Sequence, residues 1–155
     1  MLVLAGLFLF RTSPTTSDIP TNEVEVSVMK ATHVSNTDAV VYNSNPPTSG
    51  PHFSDWHKDW TFYDSALPIG GLIHNMEHGG VVLFYQSSLD EATKDQLKAF
   101  TEDNFKMIAS VKEDLPAPIA LAAWGVYELF DAFDEEAMKR FYKKHRDHAP
   151  ENVYP

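Results

Sequence analysis

"GGLIHNMEHGGVVLFYQ", Gly70 to Gln86, is the stretch on which the fold turns. Val81 to Gln86 is a β-branched and aromatic run, the composition of a strand at the centre of a sheet. Before it, His74, Met76, Glu77 and His78 crowd between two glycine pairs. If this segment is extended, alternate side chains share a face. His74, Met76 and His78 then line one side, two imidazoles and a thioether, a set that suits copper. If it is helical, residues three and four apart share a face. His74, Glu77 and His78 then point one way and Met76 points to the core. None of residues Asn75 to His78 is β-branched, and Gly79 is a natural helix terminator. The favoured reading is a short helix, at most about two turns, running into the Val81 strand. His74 and His78 then chelate one ion, with Glu77 as a third ligand or as an acceptor behind them.

Downstream the pattern is regular. "SSLDEATKDQLKAFTEDN" reads as a helix with Ser88 as its N-cap and Leu89, Ala92, Gln96, Ala99 and Phe100 on its apolar face. "KMIASVKE" is a strand, and "APIALAAWGVYELF" is another, bent at Gly125. "DAFDEEAMKRFYKKHRD" closes the chain as a helix with Phe133, Ala137, Met138, Phe141 and Tyr142 on one stripe. The order from Val81 is β-α-β-β-α. That predicts an α+β fold, a mixed sheet with helices packed on it, in a thioredoxin-like or ferredoxin-like layout.

Upstream, Val24, Val26 and Val28 alternate with polar residues, which predicts a half-buried strand over Val24–Val34. Ala39–Asn43 reads as a second short strand. Asn43 to Gly71 holds four prolines and three glycines and cannot be one regular element. Its aromatic residues, Phe53, Trp60, Phe62 and Tyr63 among them, predict a loop packed across the domain that positions His52. "MLVLAGLFLF", Met1 to Phe10, is too short for a membrane span of about 20 residues but has the length of a signal-peptide core. A polar Ser/Thr/Pro linker follows it. The expected layout is a leader or anchor with linker over residues 1–22 and a single domain over residues 23–155, in an exported or membrane-anchored protein.

Composition narrows the chemistry. A chain of 155 residues with 43% hydrophobic content can bury a core. The net charge of −10 argues against nucleic-acid binding, which needs a cationic footprint. "KRFYKKHR", Lys139 to Arg146, reads as the solvated face of the last helix. The absence of cysteine excludes disulfides, thiolate metal sites and thiol catalysis. It leaves His, Met, Asp and Glu as ligands.

Of the seven histidines, His145 and His148 read as surface residues near a helix end, and His33 has no partner close in sequence. His57 reads as a surface or rim residue. His52 is the best remaining ligand for the His74/His78 pair. "HNMEH" also satisfies the inverted zincin pattern, with Glu77 as a weak candidate for a catalytic base, but Gly79 and Gly80 cut short the helix such an enzyme needs.

Three stretches, "YNSNPPTSGPHF" (Tyr42 to Phe53), "IHNMEHGGVVLFY" (Ile73 to Tyr85) and "LPAPIALAAWG" (Leu115 to Gly125), followed by "FDEEAMKRFYKKHRDHAPE", resemble a bacterial family known as domain of unknown function 3105. The resemblance spans roughly Val40 to Glu151. It implies a fold and a place behind an N-terminal signal or anchor, and no reaction. The reading of the residues is a domain that binds copper or zinc through His52, His74 and His78, with Glu77 and Met76 as further possible ligands. Its role would be metal handling or sensing. Two alternatives stand beside it: a structural or interaction module whose histidines only fix the loop, and a metal-dependent hydrolase with Glu77 as base.

Overall fold

The computed structural model describes residues 21–55 and 59–151. His57 and nearly all of the leader and linker expected over residues 1–22 lie outside the described residues. Among the described residues no helix is long and apolar enough to cross a membrane.

The chain runs β1 (Val24–Glu25), β2 (Thr32–His33), β3 (Pro51–His52), α1 (Ile69–Glu77), β4 (Val81–Tyr85), α2 (Glu91–Glu102), β5 (Met107–Val111), β6 (Ile119–Ala123), β7 (Val126–Phe130) and α3 (Glu135–His145). Five strands form one sheet in the order β1-β7-β6-β4-β5. β4 lies parallel to β5 and antiparallel to β6, so the fold is α+β with a mixed sheet. The parallel β4-α2-β5 pair is directly hydrogen-bonded, unlike the split βαβ of a ferredoxin-like sheet. The β6-β7 hairpin and α3 complete the thioredoxin-like layout instead.

Every residue of β4 is buried. Alternation sends Val81, Leu83 and Tyr85 into a core with Leu97 and Phe100 of α2 and Met138 and Phe141 of α3. Val82 and Phe84 go the other way, against Leu72, Ile73 and Met76 of α1. Tyr42, Trp60, Tyr63 and Leu67 from the long loop pack around that second cluster. The loop is thus a structural layer, and its residues 46–50 are all buried.

Several expectations need correction. Val24–Val34 is no half-buried strand. β1 is an edge strand that pairs with β7 over two residues only, and Val24 is 41% and Val28 57% exposed. The backbone beyond it bonds to the loop, Met29 N–H donating to Ser49 Oγ at 3.0 Å. Ala39–Asn43 is no strand either. It has no neighbour to pair with, Val41 is 87% exposed, and the Tyr42 hydroxyl donates to Pro51 O at 2.7 Å. The segment read as one bent strand is the β6-β7 hairpin, turning at Trp124-Gly125, where Gly125 takes φ +76°. In α2 the N-cap is Asp90, whose side chain accepts from Thr93 N–H at 2.9 Å, not Ser88. Its buried face is Leu97, Phe100 and Thr101, while Ala92, Gln96 and Ala99 are exposed. The helix starts later than expected, and of the expected face only Phe100 is buried in the core and Leu89 packed against it. The stripe of α3 is as expected, with Ala137, Met138, Phe141 and Tyr142 buried and Phe133 packed against them.

α1 ends on the glycines. His78 is its C-cap and Gly79 takes φ +83°. Gly79 N–H donates to Met76 O at 3.0 Å and Gly80 N–H to Asn75 O at 2.9 Å, the paired bonds of a Schellman motif. A β-carbon on Gly80 would lie 2.5 Å from Trp60 Cη2 and 2.8 Å from Asn75 O. The backbone oxygen cannot move without breaking the motif. Gly80→Ala should therefore destabilise the protein by about 1–3 kcal/mol, the cost of overpacking. Denaturant unfolding checks this, and an unchanged midpoint would mean that Trp60 and the turn yield freely.

Candidate metal centre

Helical spacing divides α1 into two faces. Leu72, Ile73 and Met76 enter the core, and His74, Glu77 and His78, three and four apart, share another face. This settles the choice of backbone. The extended arrangement in which Met76 would join the histidines as a ligand does not occur. Met76 is wholly buried in the apolar cluster.

The carbonyl end of α1 is held from outside. Lys106, 1% exposed, donates from Nζ to His78 O at 2.9 Å and pairs with Asp147 Oδ1 at 3.0 Å, a cation where the helix dipole favours one. Glu151 N–H donates to Glu77 O at 3.1 Å. The N-terminal end touches the loop. A β-carbon on Gly70 would meet the Phe53 ring at 2.8 Å, and Phe53 N–H donates to Gly70 O at 3.2 Å.

The loop brings His52 to this helix, and it also brings His33. β2 and β3 form a two-stranded parallel ladder in which His33 pairs with His52. The four imidazoles form a row. Ring centroids are 5.0 Å apart for His33–His52, 5.8 Å for His52–His74 and 4.6 Å for His74–His78. His52 is fully buried and Glu77 is 4% exposed. His74 and His78 are half-buried, and His33 is exposed.

Hydrogen bonding assigns two tautomers. His52 Nδ1 lies 2.9 Å from Gly50 O, and His74 Nδ1 lies 2.8 Å from Phe53 O. A carbonyl only accepts, so each Nδ1 carries a proton, and in the neutral ring each Nε2 carries a lone pair. His52 Nε2 lies 2.8 Å from Glu77 Oε2, an ion-pair contact if the imidazole is protonated. Two lone-pair atoms that close repel unless a cation stands between them, either a proton or a metal ion.

Ligand atoms within 4.8 Å of one another fall into two groups among the described residues, His33–His52–Glu77 and His74–Glu77–His78. Each group could hold a metal ion, and Glu77 belongs to both. The anticipated trio His52, His74 and His78 is drawn into one neighbourhood but forms no single group of this kind. His33 is the residue that local spacing missed. Its partner is 19 positions away and is reached only through the β2-β3 ladder. His145 is also misread as a surface residue: its side chain is 14% exposed and lies 3.2 Å from Glu23 Oε2.

Fold and cluster together define an α+β domain in which a helix and a packed loop surround one buried carboxylate with four imidazoles. The chain belongs to the family described as protein of unknown function (DUF3105), whose model matches residues 33–155 and so includes all four histidines and Glu77. No curated protein and no solved structure matches it.

Two measurements check this geometry without any metal. Long-range proton–nitrogen spectra of the metal-free protein at neutral pH should show His52 and His74 as Nδ1–H tautomers. Rings protonated at Nε2 but not at Nδ1 would contradict both carbonyl bonds. The second check is acid stability. Burial pushes the His74 imidazole below its ordinary pKa, neighbouring His78 adds to this, and the Phe53 carbonyl opposes it. Burial lowers His145 likewise, against the opposing pull of Glu23. The unfolded chain then takes up these protons first, so stability falls as pH drops below about 6.5. The loss levels off once the folded imidazoles are protonated too. Thermal melts across this range should show that decline, made shallower by His74→Gln. A flat profile would contradict the desolvation of His74.

Proposed function

We propose that this protein is a metal-binding domain for copper or zinc, with a role in metal handling or sensing and not in turnover. The ion is held by His74, His78 and Glu77, and His52 completes the cluster from the loop. One observation carries the reading: the Nε2 of the fully buried His52 stands 2.8 Å from a buried carboxylate oxygen of Glu77, which is shared with the His74/His78 group. Ligands about 2.0–2.2 Å from a shared ion can adopt that separation. Histidine ligands that donate their other ring N–H to backbone carbonyls are oriented and fixed in tautomer, as His52 and His74 are at Gly50 O and Phe53 O. The lowered pKa of His74 keeps its ring neutral and ready to ligate at physiological pH. Imidazole with carboxylate suits zinc or copper(II) better than a hard cation. The apolar leader supports an exported or membrane-anchored setting.

A structural role is the second reading, and the same two carbonyl bonds favour it, because they tie the loop to α1. The hydrolase reading is weaker. A general base must face a water on an open coordination position, whereas Glu77 is 4% exposed and in contact with His52.

Elemental analysis of untagged protein, prepared without chelator, separates the readings. Bound zinc or copper is expected, with clear losses in both His74→Ala and His78→Ala. Met76→Leu should keep its metal and cost less than about 1.5 kcal/mol in stability, as volume-conserving core changes do. No metal in the native protein, and none taken up on titration, would leave only the structural role.

A further inference from the structure

The Glu77 carboxylate has two oxygens and two sets of neighbours. One set is His33 and His52 from the β2-β3 ladder; the other is His74 of α1 and His78 at its C-cap. Within each set the ligand atoms lie within 4.8 Å of one another, but the two sets do not merge into one. A single tetrahedral ion takes about four ligands. Here five ligand residues are spread along a row of rings in steps of 5.0, 5.8 and 4.6 Å. One ion bound to either set therefore leaves two imidazoles of the other unused.

We infer that the cluster is a two-ion site in which Glu77 bridges two divalent transition-metal ions, one held by His33 and His52 and the other by His74 and His78. This rests on the metal-binding reading above and deepens it. A bridging carboxylate suits a pair of ions about 3.5–4 Å apart. Each ion then takes two imidazoles and one carboxylate oxygen, which leaves a fourth position open.

Burial supports the arrangement. The two groups in contact at the centre, His52 and Glu77, are sealed from solvent, while each ion keeps an outer ligand that solvent reaches, His33 on one side and His78 on the other. Both ions therefore have a way in. Glu151 Oε2 lies 3.9 Å from His78 Nε2 and supplies a second carboxylate at the outer edge of the helix set. Two divalent ions on one carboxylate concentrate positive charge, and the chain's net charge of −10 favours their entry.

The arrangement also explains why His33 matters. Its ring meets His52 of the loop, and it would be irrelevant to a single ion bound by the helix pair. In a bridged pair it is a ligand of the second ion.

The test is zinc stoichiometry on the full chain, metal-free at the start, by calorimetric titration and by elemental analysis after desalting. Two zinc ions per chain are expected. His33→Ala, a change at an exposed side chain, and His78→Ala should each retain one. Glu77→Gln keeps the shape but loses the bridging charge, so both ions should weaken by about 10-fold or more. Circular dichroism confirms that each variant is folded. One zinc in the wild type, unchanged by His33→Ala, overturns the two-ion site and leaves the metal-binding function standing. Two zinc ions that survive His33→Ala or Glu77→Gln undiminished place the second ion elsewhere and overturn the assignment. No zinc in the wild type, and no copper(II) in a parallel titration, overturns both readings.

Discussion

Strand β4 has no face left for solvent, and the rest of the molecule follows from that. An apolar strand buried on both sides needs a layer on each. α2 and α3 supply one layer. The other face has only the nine-residue α1, too small to cover it alone. The long segment before α1 must lie across the sheet and add Tyr42, Trp60, Tyr63 and Leu67. Its proline and glycine content keeps it from forming regular elements, and its aromatic residues keep it from leaving. His52 reaches the helix because the loop that carries it is part of the core.

Once the loop is down, its backbone polar groups need partners. The imidazoles provide them. His52 and His74 donate to loop carbonyls at Gly50 and Phe53, and those bonds determine which nitrogen each ring keeps for other work. If the proposed metal site is right, holding the loop and presenting ligand atoms are the same two hydrogen bonds. A structural histidine and a metal ligand need not be alternatives here, because the first role orients the second.

The two buried glutamates of the sheet layers show what is unusual about the cluster. Glu128, 2% exposed, accepts from Arg140 Nη2 through both carboxylate oxygens at 2.7 and 2.6 Å, and Asn22 N–H donates to it as well. Burial of that charge is matched by a permanent cation. Glu77 is buried as deeply, yet its close contact is an imidazole whose proton faces the other way. Burying an ionised carboxylate without a paired cation is expensive, several kcal/mol even after relaxation. On the proposed reading, a bound ion supplies the charge that offsets Glu77.

Local periodicity determined much of this protein. β4, β5 and α3 were legible because their apolar residues recur at the period of the element, and the glycine pair after His78 marked the end of a helix whose spacing puts His74, Glu77 and His78 on one face. Residues so close in sequence are joined by the backbone itself, so their grouping needs no knowledge of the fold. What tertiary structure decided depends on partners. Val24 and Val28 alternate like strand residues, but no layer covers them, and the run from Ala117 to Phe130 folds back on itself because β7 can pair with β6. His33 joins the cluster only through a two-residue ladder with the loop. A pattern within a segment records which side it would bury. Which segments meet is settled by burying the whole sheet at once, and that is why His33 joins the histidine row only when the chain is folded.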